Sequence, residues 1–88
     1  MRILVTGSAD GLGHYAADSL LSDGHDVVVH ARNQDRAAAL EPLVRRGAGI
    51  VVGDFSDPDA VRRIAADLNS QEPLDSVIHN AGVYSGPD

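Results

Sequence analysis

Four short apolar runs, Ile3-Leu4-Val5, Val27-Val28-Val29, Ile50-Val51-Val52 and Val77-Ile78, recur at near-even intervals along a chain of 88 residues. Each is too short for a helix, and an uninterrupted run suits a strand buried on both faces of a parallel sheet. Strands are therefore expected at 3–5, 26–31, 50–52 and 76–79, the last ending on His79. The segments between them carry helical spacing. Leu12, Tyr15, Ala16, Ser19 and Leu20 share one face of a first helix, which Asp23-Gly24 closes. A second helical stretch covers 34–46 with Ala37, Leu40, Leu43 and Val44 inward, and Pro42 predicts a kink or a split into two pieces. A third covers 57–69, with Ser56 as its cap, Pro58 and acids in its first turn, and Val61, Ile64, Ala65 and Leu68 as its buried stripe.

The resulting order, βαβαβαβ, requires a parallel sheet with right-handed crossovers. In the dinucleotide-binding form of that topology the strands lie in the order 3-2-1-4. Residues 1–88 thus read as a single incomplete domain of the α/β class, a partial Rossmann-type three-layer sandwich with four parallel strands. Two helices would cover one face of the sheet and only the third would cover the other.

Between the first strand and the first helix lies Thr6-Gly7-Ser8-Ala9-Asp10-Gly11-Leu12-Gly13, the pattern TGxxxGxG. Glycines at such positions serve a tight turn, a close backbone approach to a pyrophosphate, and close packing of helix on strand. The free N–H groups of the following helix's first turn and its positive dipole end then face the anion. A glycine triplet alone is weak evidence, but here a strand precedes it and a helix follows, which is the context a nucleotide site requires.

With these residues the sequence resembles the short-chain dehydrogenase/reductase family, whose early signature is TGxxxGxG. Asp54 and Phe55, after the third strand, are similar to the family's adenine-contacting pair, and Asn80-Ala81-Gly82 resembles its NAG motif, which braces the sheet beside the cofactor. The resemblance runs over residues 2–82 and corresponds to about the first third of a family member, taking about 250 residues as the yardstick. It implies a nicotinamide dinucleotide as cofactor, with Gly7, Ser8, Asp10, Gly11, Leu12 and Gly13 of the loop and Ala31, Arg32 and Asn33 at the end of the second strand among the residues that would hold it. The spacing departs from the TGxxGxxG favoured by the family's extended branch of epimerases and isomerases.

The segment Val29-His30-Ala31-Arg32-Asn33 indicates which dinucleotide. An acid at the end of the second strand would accept hydrogen bonds from the ribose 2′-hydroxyl of NAD and repel a 2′-phosphate. By resemblance Ala31 stands at that place, and Arg32 follows with a guanidinium able to clamp a phosphate bidentately. NADP (NADPH) is therefore expected in preference to NAD. Asp10 tempers this, because many NADP-preferring relatives carry a basic residue just before the second motif glycine. His30 reads as a hydrogen-bonding surface residue, with the adenosine phosphate as its other candidate partner. His14 and Asp18 are spaced as a weak helical pair, too few to hold a metal, and no metal is expected.

Catalysis in the family rests on a tyrosine, a lysine four residues later and a serine. All seven basic residues here are arginines, so no lysine is present, and neither Tyr15 nor Tyr84 has an activating partner. Tyr15, on the expected packing face, reads as core. No catalytic residue is assigned, and the chain reads as the truncated, cofactor-binding N-terminal segment of an NADP-dependent oxidoreductase. Two alternatives stay open: a freestanding, non-catalytic dinucleotide-binding module, and an inactive, unstable fragment. An unpaired edge on the fourth strand would favour self-association. A net charge of −6 and a pI near 4.9 argue against a nucleic-acid partner. The absence of cysteine excludes disulfides, and no apolar run approaches the ~18 residues of a membrane span, so a cytoplasmic protein is expected.

Overall fold

The apolar runs pair into a four-stranded parallel sheet, β1 (Arg2–Val5), β2 (Asp26–Ala31), β3 (Gly49–Val52) and β4 (Ser76–Ile78), in the order β3-β2-β1-β4. This is a computed structural model describing residues 1–9, 11–70 and 73–78. The connections are α1 (Gly11–Ser22), a broken stretch of α2 (Gln34–Ala37), a 3-10 turn (Ala38–Leu40) and α3 (Glu41–Arg45), and then α4 (Pro58–Asn69). Pro42 lies in the first turn of α3, where its missing N–H costs nothing, so the chain breaks into two short helices ahead of it.

Alternation along each strand sorts its side chains onto two faces. Ile3, Val5, Val27, Val29 and Ala31 enter one cluster with Ala17, Leu40, Leu43 and Ala48, beneath α1 and α3. Leu4, Val28 and Val51 enter the other with Ile64, beneath α4. Two helical segments, α1 and the α2–α3 stretch, thus cover one face and a single helix the other, as the sequence predicts. Register fixes which residues meet at the sheet's C-terminal edge: Val5 lies beside Val29 and Ile78, and His30 beside Val51.

The helix faces differ from expectation in three places. On α1 the buried positions are Gly13 and Ala17, with Ala16, Leu20 and Leu21 partly buried, whereas Leu12 and Tyr15 are exposed. The face is turned by about one residue because small side chains let the helix approach the strands closely, while the two larger ones are left outside. Tyr15 is therefore not core. On α4 the inward residues are Ala60 and Ile64, with Leu68 partly buried, while Val61 and Ala65 are exposed. Val44 is likewise largely outside, and Leu40 and Leu43 carry the burial of their stretch.

The cap of α4 is Asp57, not Ser56: its side chain accepts from the Asp59 N–H at 3.0 Å. Ser56 is drawn away because both its N–H and its hydroxyl donate to Asp54 Oδ1, at 2.9 and 2.8 Å. Gly53, just before, sits where α4 crosses the end of β3. A methyl placed there would lie 3.0 Å from Ile64 Cδ1 and 3.2 Å from Ala60 Cβ, tighter than ordinary contact. His79 lies outside the described residues.

Candidate functional site

In a sheet ordered 3-2-1-4 the chain leaves β1 toward one side and returns to its other side at β4, and the C-terminal ends of these two strands form the switch point at which such sheets receive ligands. Residues 6–9 form the turn at that place. Gly7 adopts φ +65°, a left-handed conformation that only glycine enters freely. The turn is fastened on both sides. Thr6 donates to the Ile78 carbonyl of β4 through its N–H (2.9 Å) and its hydroxyl (3.2 Å). Ser8 donates its N–H to the His30 carbonyl of β2 at 2.9 Å, and its hydroxyl donates to the Val5 carbonyl while accepting the His30 N–H at 3.0 Å.

The Ser8 hydroxyl, fully buried and engaged in this way, has the role of holding the turn. Beyond it, α1 starts at Gly11, where an added Cβ would meet no atom within 4 Å, and Leu12 projects into solvent. Twelve helical residues therefore put their positive end just after a glycine-containing turn, an arrangement suited to a pyrophosphate. Gly13, in the first turn, is buried, as the close helix–strand packing expected of the third glycine requires.

His30 departs most from expectation. It is 2% exposed, not a surface residue. Its Nδ1 accepts the Gly7 N–H at 2.9 Å, and its Nε2 lies 2.7 Å from the Gly53 carbonyl. A carbonyl can only accept, so the proton must sit on Nε2, and the two contacts together define a neutral imidazole in one tautomer. Its ring stacks on Phe55 with centroids 4.2 Å apart and planes within 4°. Burial lowers its pKa below the ordinary 6.5, against smaller opposing effects from the Gly53 carbonyl and the Asp54 charge. The signal that could have found it is position: register puts residue 30 beside Val51, on the face that α4 covers.

Just beyond the ends of β2 and β3 the Arg32 guanidinium pairs with Asp54 Oδ2 at 3.3 Å, their side chains 71% and 39% exposed. The other carboxylate oxygen holds Ser56. Donation from the Ser56 N–H and hydroxyl, with Arg32 adding a smaller effect, lowers the Asp54 pKa below the ordinary 3.8. Asn33 caps α2 by accepting the Arg36 N–H at 2.9 Å. Ala31 is wholly buried in the cluster under α1 and α3. The structure thus groups Gly7, Ser8, Gly11, Leu12 and Gly13 on one side of the edge and Ala31, Arg32, Asn33, Asp54 and Phe55 on the other. Asp10, Asn80, Ala81 and Gly82 lie outside the described residues, as does Tyr84. Asp18, paired with His14 in the sequence reading, instead accepts from Arg46 of the stretch after α3. No helix among the described residues is long and apolar enough to cross a membrane.

A parallel sheet of this order with a glycine turn at its switch point defines a dinucleotide-binding α/β fold. The model of the short chain dehydrogenase family matches residues 1–88. The chain belongs to that family. It is 45% identical, over 98% of its length, to an uncharacterized oxidoreductase of Emericella nidulans, of which it covers 34%. It is 41% identical, again over 98% of its length, to a short-chain dehydrogenase of Gibberella zeae, of which it covers 33%. The chain therefore spans about a third of the length of the curated relatives it matches. Among solved structures, a short chain dehydrogenase/reductase family protein superposes with TM-score 0.77 at 30% identity, over 91% of this chain and 33% of its own. A 3-oxoacyl (acyl-carrier-protein) reductase of Agrobacterium tumefaciens, solved with NADP bound, gives 0.69 at 27% identity, over 90% of this chain and 32% of its own.

Proposed function

We propose that these residues form the cofactor-binding part of an NADP-dependent oxidoreductase, in which hydride passes between the nicotinamide and a carbonyl or alcohol carbon. The observation that carries the cofactor preference is Arg32: an exposed guanidinium at the end of β2, with a buried alanine just before it where an acid would repel a 2′-phosphate. The NADP held by the Agrobacterium reductase supports the same reading. Gly7, Gly11 and Gly13 would shape the pyrophosphate cradle, with the α1 N-terminus facing it and Leu12 beside it. Asp54 and Phe55 would flank the adenine. Ser8 and Asn33 would act through the backbone they fix, and Asp10, Asn80, Ala81 and Gly82 complete the proposed set. The bound dinucleotide would supply the hydride chemistry, while the protein would set its position and exclude water. A lysine-dependent acid/base pair is not among these 88 residues, so the proton-transfer groups of the proposed reaction are to be sought elsewhere.

The Asp54 carboxylate holds Arg32 at the rim before any phosphate arrives, which reduces the side-chain freedom to be lost on binding. Replacing Arg32 by alanine in the native polypeptide is expected to weaken NADPH roughly tenfold to hundredfold, as loss of a charge-assisted bidentate contact of about 1.5–3 kcal/mol requires. NADH binding should change by no more than about threefold, since it lacks the phosphate. Fluorescence titration of both cofactors checks this. An equal loss for both, or none for either, would remove Arg32 as the discriminating residue.

For these 88 residues by themselves, self-association through the outer edge of β4 is the expectation. Val77 and Ile78 are each 38% exposed there, and β1 is β4's partner among the described strands. Sedimentation velocity should show a coefficient that rises with concentration; a constant monomer value would count against it.

A further inference from the structure

The imidazole of His30 joins two loops that share no covalent neighbour: the glycine turn after β1 and the segment after β3. Its Nδ1 takes the Gly7 N–H and its Nε2–H reaches the Gly53 carbonyl, while its own backbone exchanges two hydrogen bonds with Ser8. Gly7 is the left-handed residue on which the turn depends. We infer that His30 is a positioning residue for the dinucleotide site, holding the glycine turn in its anion-receiving shape only while the ring is neutral, so that acid releases the turn and weakens cofactor binding. The inference rests on the reading of the turn as a dinucleotide cradle.

The chemistry of the release is simple. A second ring proton would go to Nδ1, which would then face the Gly7 N–H donor to donor. An attractive contact becomes repulsive, and the turn must move or the ring must leave its stack on Phe55. The charged groups facing the ring are few among the described residues. The segment after β3 offers Asp54, whose negative charge favours the protonated ring but is shared with Arg32 and Ser56. The glycine turn contributes no ionisable side chain among its described residues, only the Ser8 hydroxyl. Burial outweighs Asp54, so the ring stays neutral until the pH is below the ordinary value of 6.5. The sign follows: binding is intact at neutral pH and falls on acidification.

The test is the pH dependence of NADPH affinity in the native polypeptide, read between about pH 7.5 and about pH 5, with His30→Asn and His30→Phe beside it. The 2′-phosphate itself takes up a proton near about pH 6, so the readout is the difference from the wild-type profile rather than the raw slope. The Asn side-chain oxygen can stand where Nδ1 stands and accept from Gly7 at every pH. His30→Asn should keep neutral-pH affinity within about threefold and lose the acid-dependent component. His30→Phe keeps the ring stack but neither hydrogen bond, and should weaken binding about tenfold at neutral pH, with no acid component of its own. Parallel profiles for wild type and His30→Asn would overturn the inference, as would a nitrogen NMR spectrum showing the His30 proton on Nδ1. If His30→Phe fails to fold, the Asn comparison and the tautomer spectrum still decide. A wild-type protein that binds neither NADPH nor NADH at any pH would overturn the cofactor reading and this inference with it; binding that ignores residue 30 overturns only the inference.

Discussion

Truncating Leu40 to alanine is expected to destabilise the fold by about 2–5 kcal/mol, a large part of the 5–15 kcal/mol typical of a whole domain. Leu40 is fully buried in the cluster shared by Val5, Val27, Val29 and Leu43. It stands in the 3-10 turn between two helices of four and five residues, neither of which can persist on its own helical preference. The exchange therefore opens a cavity at the point where the α2–α3 stretch is anchored to the sheet, and backbone this irregular has little means of closing it. Urea denaturation of the native polypeptide measures the effect. Val44→Ala, at an exposed position of α3, serves as the comparison and should stay within about 1 kcal/mol. Equal effects at the two positions would mean that the stretch is held by something other than Leu40.

Gly7→Val is expected to weaken dinucleotide binding roughly hundredfold, equivalent to about 2.7 kcal/mol. At φ +65° an L side chain costs about 1–2 kcal/mol, and a β-branched one is rarer still. Relief requires the backbone to rotate, which swings the Gly7 N–H away from His30 and loosens the Ser8 attachments to Val5 and β2. The first turn of α1 then no longer faces the position the cradle gives it. Gly7→Ala should fall between, at about tenfold. Fluorescence titration with NADPH gives the affinities and far-ultraviolet circular dichroism reports the fold. Binding of the Val variant within about threefold of wild type would mean that the turn's shape is not what holds the cofactor.

The strand set, the 3-2-1-4 order and the break at Pro42 were all legible in the sequence, because continuous β-branched runs and a helix-interior proline have few structural solutions. The glycine turn was legible for a related reason: its pattern lies between a strand and a helix. The face of α1 was not. Hydropathy weights Leu12 and Tyr15, but contact distance selects Gly13 and Ala17, and a sequence displays the first quantity more openly than the second. The α4 cap was misplaced by one residue because Ser56 has a competing partner, Asp54, that only the folded loop brings within reach. The role of His30 was also missed. Its tautomer follows from two backbone groups, on Gly7 and Gly53, each distant in sequence, and neither leaves a mark on the residue types nearby.

The wholly enclosed methyl of Ala31 bears on how such a protein could change cofactor. The exchange that would favour a ribose hydroxyl over a phosphate is an acid at that position, and here it would set a carboxylate inside the packing that includes Val29, Leu40 and Leu43. An acid placed there by itself would bury an unpaired charge and is expected to destabilise the fold. Such an acid becomes tolerable only where the α2–α3 stretch loosens to give it an exit to water. In this chain a change at the end of β2 is thus also a change in the core.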